Sequence, residues 1–421
     1  MKVLVIGCAK SGLGAAKLAY TLGNEVSLWD SKGYEAFALA TQSEIDDLGQ
    51  RGIEMFLNAT TTPSDVDLVV LSPGVPPEID IIQIYKKQGI EIIGEFEYAS
   101  RVCKAPIMGI TGTNGKTTTT ALVGEIFRNY NPKTYVVGNI GTAFSDEVLN
   151  IDEDGIVIAE LSSFQLEGIS QLSCEISAIL NISPDHLNRH HTMENYINAK
   201  YRIFENQSEK NILIINEEDE TLKALQNIDT KNIVTFSSIN KVETGTFLED
   251  DELFSNINGE LISICNIHEL HILGKHNFEN ALAAIAIAQS YGVPTDIIRD
   301  TLLTFKGVEH RIEFVRNINN RKFYNDSKAT NVGAAIPAIG AMRGKIRLIG
   351  GGMDKGVTFD EWVKLFDGKV ETLYLIGETK QLILDTCKKY NFTSVVLCET
   401  LEVAIKLAYE QSNEGENILL S

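Results

Sequence analysis

The chain is predicted to be an α/β protein of three successive units, and three observations carry that prediction. Short apolar runs rich in Val, Ile and Leu alternate with helical stretches along the length, the pattern of parallel strands joined by helices. Two of these runs end in Gly-rich turns that open helices, at Gly7 and at Gly112. A length of 421 residues exceeds what one hydrophobic core supports, so two or three domains of roughly 100–200 residues each are expected.

The first unit, residues 1–93, is doubly wound. Residues 2–6 and 25–30 read as strands, 12–22 as the helix between them, and 66–71 as a later strand ending at Ser72-Pro73-Gly74. The turn Gly7-Cys8-Ala9-Lys10-Ser11-Gly12 is similar to a dinucleotide fingerprint, with Asp30 at the end of the second strand where a ribose-binding carboxylate sits. Ala9 stands where a glycine lets a pyrophosphate approach most closely. That disfavours NAD as a hydride carrier. A nucleotide-sugar diphosphate, or a tight turn that only packs helix on sheet, remains open for this segment.

The second unit, residues 94–306, contains the most informative stretch. In Gly109-Ile110-Thr111-Gly112-Thr113-Asn114-Gly115-Lys116-Thr117-Thr118 an apolar strand feeds a Gly-rich turn, a lysine and a helix start. Glycines let backbone N–H groups approach anionic oxygens, Lys116 adds a point charge, the Thr117 hydroxyl suits Mg²⁺, and the helix N-terminus favours anions. ATP is the expected guest, although Ile110 occupies the first glycine position of the general phosphate-loop pattern. Strands follow at 155–160 and 175–181, and an Ala-rich helix at 277–291 stops at Gly292-Val293-Pro294. Residues 216–272 are polar and give no clear period. The third unit, 307–421, is α/β again, with parallel strands expected at 345–349, 372–376, 394–397 and 417–420.

Three further residues attract attention by position. Glu160 ends a strand on the side where α/β sheets bind ligands, which suits a Mg²⁺ ligand. His186 follows the next strand, beside Asp185 and near Arg189, a setting for chemistry rather than packing. Lys200 lies on a helix, where a lysine is ordinarily a solvated surface charge.

Composition narrows the function classes. Hydrophobic residues make up 44% and charged residues 22%, ordinary for a folded chain. The formal charge of −20 argues against nucleic acid or anionic membrane as a partner. The six cysteines are scattered without metal-ligand spacing, which fits a reducing compartment. No signal-like or membrane-spanning run occurs, so a cytoplasmic protein without membrane insertion is expected.

Taken in order, Gly-Thr-Asn-Gly-Lys-Thr, Glu-Leu-Ser-Ser-Phe-Gln (160–165), Asp-His-Leu-x-Arg (185–189), Gly-Lys-His-Asn-x-x-Asn (274–280), His310-Arg311 and Asn-Asp-Ser-Lys-Ala-Thr-Asn (325–331) resemble the Mur ligases over nearly the whole chain. The family resemblance implies a Rossmann-like first domain, a central P-loop ATPase-like parallel sheet and a C-terminal Rossmann-like α/β domain. The segment 326–331 is closest to the branch that adds D-glutamate to UDP-N-acetylmuramoyl-L-alanine. Other branches typically carry an Asp-Tyr-Ala-His type sequence there, and some lack the Rossmann-like opening.

The resemblance also implies roles. Gly112, Thr113, Asn114, Gly115, Lys116, Thr117 and Thr118 would hold the ATP phosphates, Asn280 would lie beside the adenine, Arg311 would reach the phosphates, and Asp326 would bind the ribose. Thr117 and Glu160 would hold one Mg²⁺, and His186 and Lys200 a second. For that, Lys200 would be carbamylated, turning a cation that repels Mg²⁺ into an oxygen donor. Ala9, Lys10, Ser11, Ser31, Lys32, Ser72 and Asn139 would contact the UDP-sugar, and Thr330 and Lys355 the incoming amino acid. Lys116, Glu160, His186 and Lys200 form the catalytic set.

The implied reaction runs through an acyl phosphate, with a monomer that closes its domains around its substrates. Family members continue beyond the position of Ser421 with a segment that helps hold the glutamate, so the third domain is expected to be truncated. The alternatives are a catalytically impaired nucleotide-sugar-binding homologue, a Mur-type ligase with another acceptor, and a nicotinamide-dependent dehydrogenase.

Overall fold

The computed structural model describes residues 1–59, 61–227, 232–257, 259–329, 331–354 and 356–421. Its strands form three sheets. In the first, β1 (Lys2–Ile6), β2 (Glu25–Asp30), β3 (Glu54–Leu57), β4 (Leu68–Leu71) and β5 (Glu91–Gly94) lie in the order β3-β2-β1-β4-β5, all parallel. The period-two rule is visible in β1, where Val3 and Val5 enter one apolar core and Leu4 and Ile6 enter another on the opposite face. Fully burying each such side chain favours folding by about 1.5–3 kcal/mol.

The middle sheet contains β6 (Ile107–Thr111), β7 (Thr134–Gly138), β8 (Ile156–Glu160), β9 (Ile176–Ile179), β10 (Ile212–Asn216), β11 (Asn232–Ser237), β12 (Gly245–Glu249), β13 (Glu252–Ser255) and β14 (Ile262–Asn266). Their order is β14-β13-β12-β11-β10-β9-β6-β8-β7. Pairing is parallel from β7 through to β12 and antiparallel between β12 and β13. The polar stretch 216–272 thus supplies most of one flank of this sheet, and it adds an antiparallel pair to the parallel strands expected from sequence. The core around β1 continues through Phe96 and Phe144 to Val157 and Ala159, joining the first and middle sheets in one apolar body.

The third sheet contains β15 (Glu313–Ile318), β16 (Arg321–Asn325), β17 (Ile346–Gly352), β18 (Val370–Gly377), β19 (Val395–Leu397) and β20 (Asn417–Leu420) in the order β15-β16-β20-β17-β18-β19. The four strands expected from sequence, β17, β18, β19 and β20, pair in parallel, and the β15–β16 hairpin adds an antiparallel pair at one edge. Compact units divide as Met1–Ile264 with Leu282–Arg299, and Cys265–Ala281 with Asp300–Ser421. The helix Lys275–Tyr291 contributes to both, and its Ala281–Ala288 stretch is buried on every side. Among the described residues, no helix is long and apolar enough to cross a membrane.

Candidate functional site

The phosphate loop follows β6. Gly115 adopts φ +84°, a left-handed conformation open to glycine, and caps the helix Lys116–Tyr130, whose first turn holds no acidic residue. The stretch after β9 pins this loop. Thr113 N donates to Asn181 O at 2.9 Å, Asn114 N to Asn181 Oδ1 at 2.8 Å, and Ser183 N to Thr113 Oγ1 at 3.0 Å. Lys116 Nζ folds back onto the loop, donating to the carbonyls of Gly112 and Thr113 at 2.8 Å each. Thr117 is half-buried and Thr118 buried in the helix behind it.

Strand register brings Glu160 to this loop. Ile110 pairs with Glu160 across β6 and β8, and Gly138 pairs with it across β7 and β8. The carboxylate is buried at 1% exposure; Oε1 accepts from Asn139 Nδ2 at 2.6 Å, while Oε2 has no hydrogen-bond partner among the described residues. An orphaned anionic oxygen is costly in a protein interior. A cation beside it would supply the missing partner, so the donor set fits Mg²⁺. Among the described residues no three His, Cys, Asp or Glu side chains gather as a ready-made cage.

Lys200 is not the surface charge its helical position suggests. On the helix Met193–Tyr201 it is 1% exposed, donates to Gly112 O at 2.7 Å, and lies 4.8 Å from the Tyr196 ring centre. Burial, and then the neighbouring Lys116 charge, push its pKa down to about 7, with Asp185 opposing. His186 is exposed, in a left-handed conformation at φ +51°, with Nε2 3.5 Å from Asp185 Oδ2 and its ring 4.9 Å from Phe164. Lys116, Glu160 and Lys200 therefore meet at one loop, and His186 stands at its solvent side on the segment that pins the loop.

At the first sheet, Asp30 is engaged by backbone. Its Oδ2 accepts from Cys8 N at 2.8 Å and its Oδ1 from Lys32 N at 2.9 Å. The dehydrogenase reading needs this carboxylate for a ribose, and the turn already uses both oxygens. Ala9, Lys10, Ser31 and Lys32 are exposed around that turn, Ser11 is half-buried, and Ser72 is buried at the end of β4. Lys10 Nζ donates to Gly141 O at 3.2 Å, two residues from Asn139, which links this turn to the Glu160 side of the middle sheet. A cleft of about 360 Å³ opens between the first and middle sheets, lined by Ser72, Val75, Phe96, Phe164, Gln165 and Arg189.

The second compact unit holds the remaining candidates. Asp326 is 3% exposed; its Oδ1 accepts from Ile312 N at 3.0 Å and its Oδ2 from Ser421 Oγ at 2.9 Å, and burial pushes its pKa up. Ile312 sits at φ +48°, a strained conformation for a β-branched residue. Arg311 Nε is buried with no hydrogen-bond partner among the described residues, and Asn280 Nδ2 donates to Asn277 Oδ1 at 3.1 Å. His276 is pushed down to about 4 by burial and by Arg311. A cleft of about 250 Å³ is lined by Ser327, Ala329, Asn331, Gly351, Phe359 and Ser421. Thr330 and Lys355, the residues expected to meet the amino acid, lie outside the described residues.

The family description for the Mur ligase middle domain matches residues 110–288, and that for the Mur ligase glutamate ligase domain matches 310–421. The UDP-N-acetylmuramoylalanine--D-glutamate ligase of Thermoanaerobacter sp. (strain X514) is 46% identical over 424 residues, covering 100% of this chain and 92% of the relative. The chain belongs to the Mur ligase family. The enzyme of that same name from Clostridioides difficile (strain 630) is 43% identical over 423 residues, covering 100% of this chain and 93% of its own length.

Solved Mur ligases share the three-domain fold at lower identity. MurC, the UDP-N-acetylmuramate-alanine ligase of Thermotoga maritima, aligns with a TM-score of 0.58 at 20% identity over 100% of this chain and 95% of its own. MurF of Acinetobacter baumannii gives 0.60 at 17% identity, over 84% and 81%. This Mur ligase is accordingly an ATP-dependent ligase.

Sequence reasoning missed one part of this Mur ligase altogether. His190 is 3% exposed, with Nε2 2.9 Å from Ser163 Oγ and Nδ1 3.2 Å from Glu167 Oε1. Arg189 Nη2 donates to the other oxygen of Glu167 at 2.8 Å and to Val75 O at 3.1 Å. The only available signal was the proximity of this histidine to His186, and one extra histidine in a loop carries no spacing pattern.

Proposed function

We propose that this Mur ligase joins D-glutamate to UDP-N-acetylmuramoyl-L-alanine at the cost of ATP, a step of peptidoglycan precursor synthesis, acting in the cytoplasm as a monomer. The observation that carries the reading is the convergence of Lys116, Lys200 and the half-partnered Glu160 carboxylate on one Gly-rich loop. The acceptor rests on full-length likeness to relatives bearing that ligase name at 43–46% identity, and on the segment 326–331. The working domains are 1–93 for the UDP-sugar, 94–306 for ATP and 307–421 for the amino acid.

A carboxylate has no adequate leaving group for amide formation in water. An oxygen of the L-alanyl carboxylate attacks the γ-phosphorus of ATP, the bond to the ADP oxygen breaks, and an acyl phosphate results. The deprotonated amine of D-glutamate then attacks the acyl carbon. The C–N bond forms, a second proton leaves the nitrogen, and the tetrahedral adduct collapses with loss of inorganic phosphate. Residues 112–118 cradle the phosphates, and Lys116 leaves its loop carbonyls to neutralise the transferring group. Thr117 and Glu160 would hold Mg²⁺ at one position and His186 and Lys200 at a second, where it would supply charge neutralisation.

Lys200 becomes an oxygen donor when its neutral amine adds CO₂ and releases one proton. A pKa near 7 makes that neutral form abundant at cytoplasmic pH. Ala9, Lys10, Ser11, Ser31, Lys32, Ser72 and Asn139 contact the UDP-sugar, Asn280, Arg311 and Asp326 the nucleoside and phosphates of ATP, and Thr330 and Lys355 the acceptor. The acyl phosphate route is tested with ¹⁸O in the alanyl carboxylate. One ¹⁸O per inorganic phosphate released is expected, and phosphate free of label would rule the route out.

A further inference from the structure

We propose that His190 is a positioning residue that holds the wall of the sugar-nucleotide cleft and ties that wall to the phosphate loop. The inference rests on the assignment of the cleft between the first and middle sheets to the UDP-sugar. It starts from the hydrogen bonds of the ring. A carboxylate only accepts, so Nδ1 carries the proton toward Glu167 Oε1 at 3.2 Å, and Nε2 is then free to accept the Ser163 hydroxyl at 2.9 Å. Each ring nitrogen thus has a hydrogen-bond partner, and the side chain is 2% exposed.

One arm of this network reaches the cleft. Glu167 holds His190 with one oxygen and Arg189 with the other, and Arg189 in turn donates to Val75 O on the far wall, which belongs to the first sheet's segment. The Arg189 guanidinium also lies 5.2 Å from the centre of the Phe164 ring. Phe164, Glu167, Val75 and Arg189 all line the cleft. Removing the imidazole nitrogens takes one partner each from the Glu167 carboxylate and the Ser163 hydroxyl, so the helix Ser163–Glu167 loses both side-chain contacts to His190 and is held to the far wall through Arg189 alone.

The other arm reaches the loop. The His190 ring stacks on Phe164 at 5.5 Å with an interplanar angle of 21° and lies 5.2 Å from Tyr196. Tyr196 carries Lys200 over its ring at 4.8 Å and places its hydroxyl 3.0 Å from Thr113 Oγ1. Asn195 Nδ2 donates to His190 O at 2.9 Å and closes the same segment. A packed, hydrogen-bonded chain therefore runs from Val75 through Arg189, Glu167, His190 and Tyr196 to Thr113 and Lys200.

The test uses the full chain and three variants. His190→Phe keeps the stacking ring and deletes both nitrogen contacts, Glu167→Gln keeps volume and deletes the charge, and the third carries both. Product formation by the unaltered chain with UDP-N-acetylmuramoyl-L-alanine establishes the underlying reading on its own. Given that activity, each single variant is expected to raise KM for the sugar nucleotide tenfold or more and KM for ATP less than threefold. The double variant should lose no more than about twofold beyond the worse single one, because the residues act as a unit.

His190→Gln, which restores a side-chain donor and acceptor, should recover part of the sugar-nucleotide KM. Sugar-nucleotide and ATP KM values within twofold of the parent in both single variants would overturn the proposal. Equal losses for both substrates with additive effects in the double variant would also overturn it, since they would mark a merely structural role. If His190→Phe fails to fold, Glu167→Gln decides by the same KM criteria.

Discussion

Lys200 shows how a residue's setting reverses the reading its sequence position suggests. A lysine on a helix is ordinarily solvated, but this one is buried against Tyr196 and faces Lys116, so it gives up its proton near pH 7. The stability consequence has a definite sign. An unfolded lysine keeps its proton up to about pH 10.4. Between about 7 and that value the unfolded state binds more protons than the native one, so stability rises with pH across this window. Below about 7 both states are protonated and the contribution is flat. In CO₂-free buffer, the free energy of unfolding should climb from pH 7 to 9 with a slope approaching about 1.4 kcal/mol per unit from this group. Lys200→Met should remove that slope, and an unchanged slope in the variant would place its origin elsewhere. Lys116 has a simpler expectation. Lys116→Ala should lower kcat by about 100–1000-fold, the scale of losing one preorganised charge donor, with a melting temperature within a few degrees of the parent.

At the scale of elements, the turn after β1 is the most constrained joint in the first sheet. A Cβ on Gly12 would lie 1.8 Å from Gly7 O, so the helix Lys10–Thr21 can approach the strand end only with glycine there. Gly12→Ala is expected to cost about 3 kcal/mol or more by chemical denaturation, and to weaken sugar-nucleotide binding in parallel. A loss below 1 kcal/mol would show that the turn tolerates a wider approach. This joint was legible in the sequence because glycines at fixed offsets have a steric meaning; β1, β6, β8 and β20 were legible from their apolar runs, and β2 from Val26, Leu28 and Trp29 between Glu25 and Asp30. The flank from β11 to β14 was not legible. Its strands come from polar sequence, and β12 and β13 are joined by the left-handed pair Asp250 and Asp251 rather than by a Gly-containing turn. The β15–β16 hairpin was missed for the same reason, since the left-handed Asn319 and Asn320 make its turn and most of β15 is exposed. In the candidate site, motif positions such as Lys116 and Glu160 were visible. His190 was hidden because its role depends on contacts with Ser163 and Glu167, more than twenty residues away in the chain.

For the whole molecule, an acidic chain of net charge −20 must bind ATP and a UDP-sugar, both anionic. The means we propose are local: backbone N–H groups at helix starts, Lys116, and the Glu160 carboxylate as a Mg²⁺ ligand. Three α/β domains suit a reaction that brings a sugar nucleotide, ATP and an amino acid together and must keep water from an acyl phosphate. The most direct test of the account is product formation by the chain with ATP, Mg²⁺ and UDP-N-acetylmuramoyl-L-alanine, read by mass spectrometry, with D-glutamate, L-glutamate and L-alanine as parallel acceptors. One new amide product is expected, with D-glutamate as the only effective acceptor and only when ATP is present. Product with L-glutamate or L-alanine instead, or ATP consumed without amide formation with any acceptor, would contradict it.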